Sequence, residues 1–208
     1  FLLSFPPEEE VRRVVRYAME QGADRYAFIG PSTPYGSVAA DAYRDAISQS
    51  FGELVAEEYY FGGVQAMTEA ARRLADLGVE PLDPEVAAEM TGLEWIPPDE
   101  ETAPFEIVML PEGGDDLITL APVLIYADID PLLIKFIGTG LWNDPATRRE
   151  PALANGWFAG PDPASRERFA DAYEAAYDEA PSRLAGLGYD AAALAALLAR
   201  QTGGVSEE

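Results

Sequence analysis

The chain has 208 residues and a formal net charge of −23, from 37 acidic against 14 basic side chains. A surface this negative repels phosphate backbones and anionic membranes, so nucleic acid is excluded as a partner. With neither histidine nor cysteine, the chain cannot build Ser-His-Asp or Cys-His nucleophilic sites, zinc sites of the thiolate or imidazole kind, or disulfides.

The opening FLLSF has no Met and no basic n-region, so the sequence reads as a piece of something longer. Residues 8–21 place Val11, Val14, Val15, Ala18 and Met19 on one helical stripe, behind an acidic first turn and ahead of Gly22. RYAFIG (25–30) reads as a strand. SVAADAYRDAISQS (37–50) reads as a helix with Val38, Ala42, Tyr43 and Ala46 inward. LVAEEYY (54–60) is a second strand, and QAMTEAARRLADL (65–77) a helix with Met67, Ala70, Ala71 and Leu74 in register. Residues 78–104 carry five prolines and many acids and read as an insertion with one short helix near 84–91. FEIVML (105–110) is a strand and residues 115–127 a helix in which Pro122 predicts a kink or a late start. IKFIG (134–138) and GWFAG (156–160) complete the strands. Helices over 163–179 and 188–200 precede a polar tail. No apolar run approaches the roughly 18 residues that a membrane span needs.

Strands alternating with amphipathic helices predict an α/β fold with a doubly wound parallel sheet, and five strands are too few for an eight-fold barrel. In such sheets ligands gather at the carboxyl ends of the strands. Those ends read PSTPYG, FGG, PEGGDD, GTGLWND and GPDP. PSTPYG lacks the Gly-Lys-Ser/Thr ending of a phosphate loop, and a serine there has no histidine base. GTGLWND lacks the third glycine of a dinucleotide turn. The paired acids of PEGGDD and YADID do not follow the calcium-loop pattern, and solvated acid is the favoured reading over a metal site. No cofactor or metal is expected. Tyr35 and Trp142 either pack or line a cleft, whereas Trp157 reads mainly as core. A binding wall without chemistry is what remains.

The stretch SFPPEEEVRRVVRYAMEQGADRYAFIGPSTPYGSVAADAYRDAI resembles the start of the second lobe of type 1 periplasmic binding proteins of the Leu/Ile/Val-binding kind. The marks are Tyr35-Gly36 after the first strand, Gly113-Gly114 before a helix, and Tyr189 to Ala191. GGDDLITLAPVLIYADIDP, GTGLWNDPA and GWFAGPDP are similar to a branch described as penicillin-binding protein activators, outer-membrane lipoproteins that stimulate a peptidoglycan synthase. The resemblance implies a second lobe over 1–187, with the acidic insertion at 78–104. It also implies a helix in 188–208 that would pack on a first lobe through Leu194, Leu197 and Leu198. Ser32, Thr33, Tyr35, Glu112, Asp115, Thr139 and Trp142 become the candidate ligand-binding residues, although Tyr35 can equally be a packing residue that holds its turn. The family's acidic partner for a ligand amino group has no clean match, although Asp115 and Asp116 lie close by. The implied function is non-catalytic and periplasmic, with a lipid anchor at the outer membrane. The implied role is an activator acting on a peptidoglycan synthase (a penicillin-binding protein); the alternative is a solute-binding receptor of an ABC transporter for amino acids or similar small ligands.

Overall fold

Alternate residues of a strand face opposite sides of a sheet, and here both sides are apolar. The computed structural model describes residues 6–160, 163–182 and 185–201. In chain order the elements are α1 (Pro7–Glu20), β1 (Arg25–Pro31), α2 (Pro34–Gln49), β2 (Glu53–Tyr60), α3 (Val64–Ala75), α4 (Pro84–Met90), β3 (Ile107–Met109), α5 (Gly114–Tyr126), β4 (Lys135–Gly138), β5 (Trp157–Phe158), α6 (Pro163–Tyr177) and α7 (Ala185–Gln201). Three 3-10 turns, at Gly140–Trp142, Thr147–Arg149 and Pro151–Leu153, lie between β4 and β5. The five strands pair in parallel in the order β2-β1-β3-β4-β5. The sheet is therefore the doubly wound one that the pattern predicts. Among the described residues no helix is long and apolar enough to cross a membrane.

Tyr26 and Phe28 of β1, with Ile107, Met109 and Ile137, pack against Val11, Val14, Val15 and Ala18 of α1 and the inner face of α2. Ala27, Ile29, Val108 and Phe136 point the other way, onto Met67, Ala70, Ala71 and Leu74 of α3 and Leu117, Leu120, Ala121 and Leu124 of α5. The β1-to-β2 connection and the β2-to-β3 connection run in opposite directions along the sheet. Right-handed crossovers then put α2 and α3 on opposite faces.

Several local details differ from the sequence reading. Val38 is 39% exposed, and Ala39 and Ala40 turn inward with Ala42, Tyr43 and Ala46. Helix α2 begins three residues earlier than the pattern suggests, at Pro34, which suits the first helical position. Helix α5 starts at Gly114 and runs through Pro122, whose exposed position lets solvent meet the carbonyl left without its usual donor. β3 and β5 are shorter than the apolar runs that carry them.

Strand β2 lies at one edge of the sheet. Arg44 of α2 pairs with Glu57 at 2.9 Å, and Arg73 of α3 with Glu58 at 2.7 Å, tying that edge to the helices on both faces.

Tyr43 is fully buried, 6.1 Å from the ring of Tyr26 and 6.0 Å from that of Phe28 between centroids. Its hydroxyl has no hydrogen-bond partner among the described residues, and burial pushes its phenol well above the ordinary range. Tyr43→Phe deletes that orphaned hydroxyl and leaves the ring. It is expected to stabilise the protein by about 1 kcal/mol or more, read as a higher urea midpoint at unchanged slope.

The chain divides into two units. Residues 6–160 form the sheet unit. The other contains α6 and α7, where Phe169 packs on Tyr173 and Tyr189 with centroids 5.9 and 5.2 Å away. On α7, Leu197 is 56% exposed and Leu194 is half-buried. The polar tail at 202–208 and the opening FLLSF fall outside the described residues.

Candidate functional site

The strand order reverses at β1, so the crossovers on its two sides diverge and leave a crevice beyond the carboxyl ends of β1 and β3. Both turns there are polar and are held by hydrogen bonds.

After β1 the backbone N–H of Ser32 donates to the Tyr60 carbonyl at 2.8 Å, which extends the β1–β2 ladder by one step. Thr33 caps α2, its Oγ1 accepting from the Gly36 N–H at 3.1 Å. Pro34 follows at the first helical position, where its missing N–H is no loss. Gly36 is required by close approach: a Cβ there would lie 2.1 Å from the Pro31 carbonyl oxygen. Its absence lets α2 start directly on the end of β1. The Tyr35 ring then reaches over β3, and its hydroxyl meets Thr139 Oγ1 at 2.9 Å just past the end of β4. The same Thr139 oxygen caps the first 3-10 turn.

After β3, the half-buried Glu112 accepts a 2.9 Å hydrogen bond from the Tyr60 hydroxyl. Burial pushes the Glu112 carboxyl above the usual carboxylate range; the Tyr60 hydroxyl and the Gly113 N–H oppose this, and Asp116 adds to it. Burial above all, and then the Glu112 carboxylate, raise the Tyr60 phenol. Across the edge, Glu10 of α1 accepts from the Gly140 N–H at 3.0 Å.

The seven candidate residues thus separate into layers. Ser32 and Thr33 are exposed, and Tyr35 and Glu112 are half-buried. Asp115 stands exposed in the first turn of α5. Thr139 is fully buried beneath Tyr35. Trp142 is 2% exposed and donates its indole N–H to the Leu110 carbonyl at 3.1 Å. In the sequence Trp142 stands between core and cleft; in the structure its ring faces the core. Sequence reasoning missed Tyr60, although as the last residue of β2 it occupies a carboxyl-end position of the same kind as Pro31. It also read Glu10 as a helix-dipole acid, not as a tie to the β4 turn.

This arrangement offers one half-buried carboxylate, two hydroxyl-bearing rings and the positive end of the α2 dipole along one edge.

A family model described as periplasmic binding protein matches residues 1–208. No curated protein sequence matches the chain. Among solved structures, a branched-chain amino acid ABC transporter from Rhodospirillum rubrum is 21% identical, with a TM-score of 0.64 over 92% of this chain and 49% of its own. A branched-chain amino acid ABC transporter periplasmic ligand-binding protein from Burkholderia xenovorans is 15% identical (TM-score 0.63, 93% of this chain, 46% of its own). An ABC transporter solute-binding protein from R. palustris, solved with benzoate, is 18% identical (TM-score 0.61, 92% of this chain, 47% of its own). The chain thus spans about half the length of each, and the likeness is one of fold.

Proposed function

The chain belongs to the periplasmic binding protein family, and from that premise we propose that its sheet unit is one wall of a ligand cleft between two lobes. The protein is non-catalytic and works outside the cytoplasm. The observation that carries this reading is the Tyr60–Glu112 pair beside the Thr33-capped start of α2, at the switch point of the sheet. Ser32 and Tyr35 complete the wall, with Asp115 at its margin. Thr139 and Trp142 hold it from below. A half-buried carboxylate opposite a helix N-terminus suits a small zwitterion, with its ammonium on Glu112 and its carboxylate toward α2.

The test is calorimetry on the intact protein against a panel of amino acids, with Glu112→Gln as the variant. A ligand held through its ammonium is expected to bind the variant about 10-fold more weakly or worse, the equivalent of one charge-assisted hydrogen bond. Affinity is also expected to fall with pH as Glu112 takes up its proton, earlier than an ordinary carboxylate would because its pKa is raised. Equal affinity of the two proteins would remove Glu112 from the site.

What the cleft reports to is a separate matter. The similarity of residues 113–131, 138–146 and 156–163 to penicillin-binding protein activators supports a regulator of peptidoglycan synthesis, anchored by lipid to the outer membrane. The solved relatives named above support a second reading, a receptor delivering a solute to an ABC transporter. Adding the intact protein to a purified penicillin-binding protein separates them. A faster synthase is expected of the regulator; an unchanged rate together with tight amino-acid binding is expected of the receptor.

A further inference from the structure

Lys135 is the only lysine in the chain, and it opens β4 at the end of the sheet opposite the cleft wall. It is 4% exposed. Among the described residues no carboxylate lies within ion-pair distance of its ammonium. Instead Nζ sits 5.7 Å from the ring centre of Trp95 and 5.5 Å from that of Trp157. The two indoles meet edge to face at 5.3 Å, and Tyr17 closes on Trp157 at 5.0 Å in the same manner. Trp95 belongs to the acidic insertion and is anchored by its indole N–H to the Leu133 carbonyl at 3.0 Å. The insertion thereby brings one wall of a cavity of about 550 Å³, which Gln21 and Asn155 also line.

A buried cation normally has a counter-charge, and one without it is expensive to keep. Burial lowers the Lys135 amine to about 8. Interaction with the indoles offsets only part of the desolvation. The volume lies within the range of small-molecule sites, and the walls combine aromatic faces with a few convergent polar groups. We propose that this cavity is a second ligand site, distinct from the interlobe cleft, for a small monocarboxylate with an apolar body. The carboxylate pairs with Lys135, the Gln21 and Asn155 amides serve its remaining lone pairs, and the body lies against Trp95 and Trp157.

Two of the three tryptophans in the chain line this cavity, so intrinsic fluorescence reads its occupancy directly. Phenylacetate and hexanoate, titrated into the intact chain and followed by fluorescence and calorimetry, are expected to bind saturably. The neutral phenylacetamide is not. Lys135→Met is expected to weaken phenylacetate about 10-fold or more while raising the melting temperature of the ligand-free protein, since an unpaired charge is gone. Glu94→Lys, at an exposed lining residue whose change leaves the core intact, is expected to tighten binding. Absence of saturable binding of either carboxylate to the wild type would overturn the proposal. So would equal affinity in a folded Lys135→Met protein, or unchanged affinity in Glu94→Lys. Lys135 would then be a cation held by two indoles alone.

Discussion

Trp142→Ala is expected to remove about 3–5 kcal/mol of folding stability, a large share of the roughly 5–15 kcal/mol that a domain has. The ring is 2% exposed and lies where two strand-end glycines leave room for it. A Cβ on Gly138 would fall 2.1 Å from the indole, and one on Gly156 would fall 2.5 Å from it. Truncation therefore empties a cavity with rigid backbone walls, which relaxes little. It also strips the Leu110 carbonyl of its indole donor. Urea denaturation reads this as a lower midpoint at constant slope. Trp142→Phe separates the lost packing from the lost hydrogen bond, because it refills much of the space but leaves the carbonyl unpaired; its expected loss is about 1–3 kcal/mol. A loss below about 1 kcal/mol for the alanine variant would mean that the indole does not support the strand ends.

Glu106→Ala is expected to have an effect of similar size, about 3–5 kcal/mol, by a different route. Glu106 stands just before β3 with its side chain 7% exposed. One carboxylate oxygen accepts from the Asp24 N–H at 2.7 Å and from the Arg25 N–H at 3.1 Å, and the other accepts from the Arg25 guanidinium at 3.0 Å. Removing the carboxylate orphans two backbone donors and takes the counter-charge from the half-buried Arg25 guanidinium. Arg25→Met leaves the two backbone donors satisfied, so it is expected to cost less than Glu106→Ala. The arginine also holds the Pro98 carbonyl at 2.6 Å, so its loss should loosen the end of the acidic insertion. Limited proteolysis checks that difference: faster cleavage within residues 78–104 is expected for Arg25→Met than for wild type. If the alanine variant at 106 proved at least as stable as the methionine variant at 25, the two backbone donors would matter less to folding than the ion pair does.

The amphipathic stripes of α1 and α3 and the strand-helix alternation were legible in the sequence because they rest on local periodicity. Met67, Ala70, Ala71 and Leu74 are all buried, as their spacing predicts. What periodicity cannot express was harder to see. The 3-10 turns between 140 and 153 carry no repeat. FEIVML reads as six strand residues, but only Ile107–Met109 are assigned to the strand, since strand length depends on partners as well as on apolarity. Whether Trp142 packs or faces a cleft depends on Gly138 and Gly156, which sit four residues before it and fourteen after. Glu106 was hidden inside an apolar run, and its partners Asp24 and Arg25 lie about eighty residues away. Lys135 carried no sign at all: its setting is made by Trp95 and Trp157, brought together only by the course of the insertion. The places of Tyr35 and Glu112 just past β1 and β3 were legible because position at a strand's carboxyl end is itself a sequence-level rule.

The edge position of β2 has a bearing on how copies of the molecule treat one another. An eight-residue strand that pairs on one side only among the described residues is a template on which another chain can grow a ladder, the first step of sheet-mediated aggregation. Along this one Glu57 and Glu58 are balanced by Arg44 and Arg73, so what meets another copy is Glu53 and the overall charge of −23. Bringing two such edges together brings two strongly negative molecules together. The deterrent is ionic, and so it has a range: about 10 Å at 0.1 M salt and only about 3 Å at 1 M. Colloidal stability in this protein is therefore set by the medium as much as by the fold, and concentrated salt removes the barrier without unfolding anything.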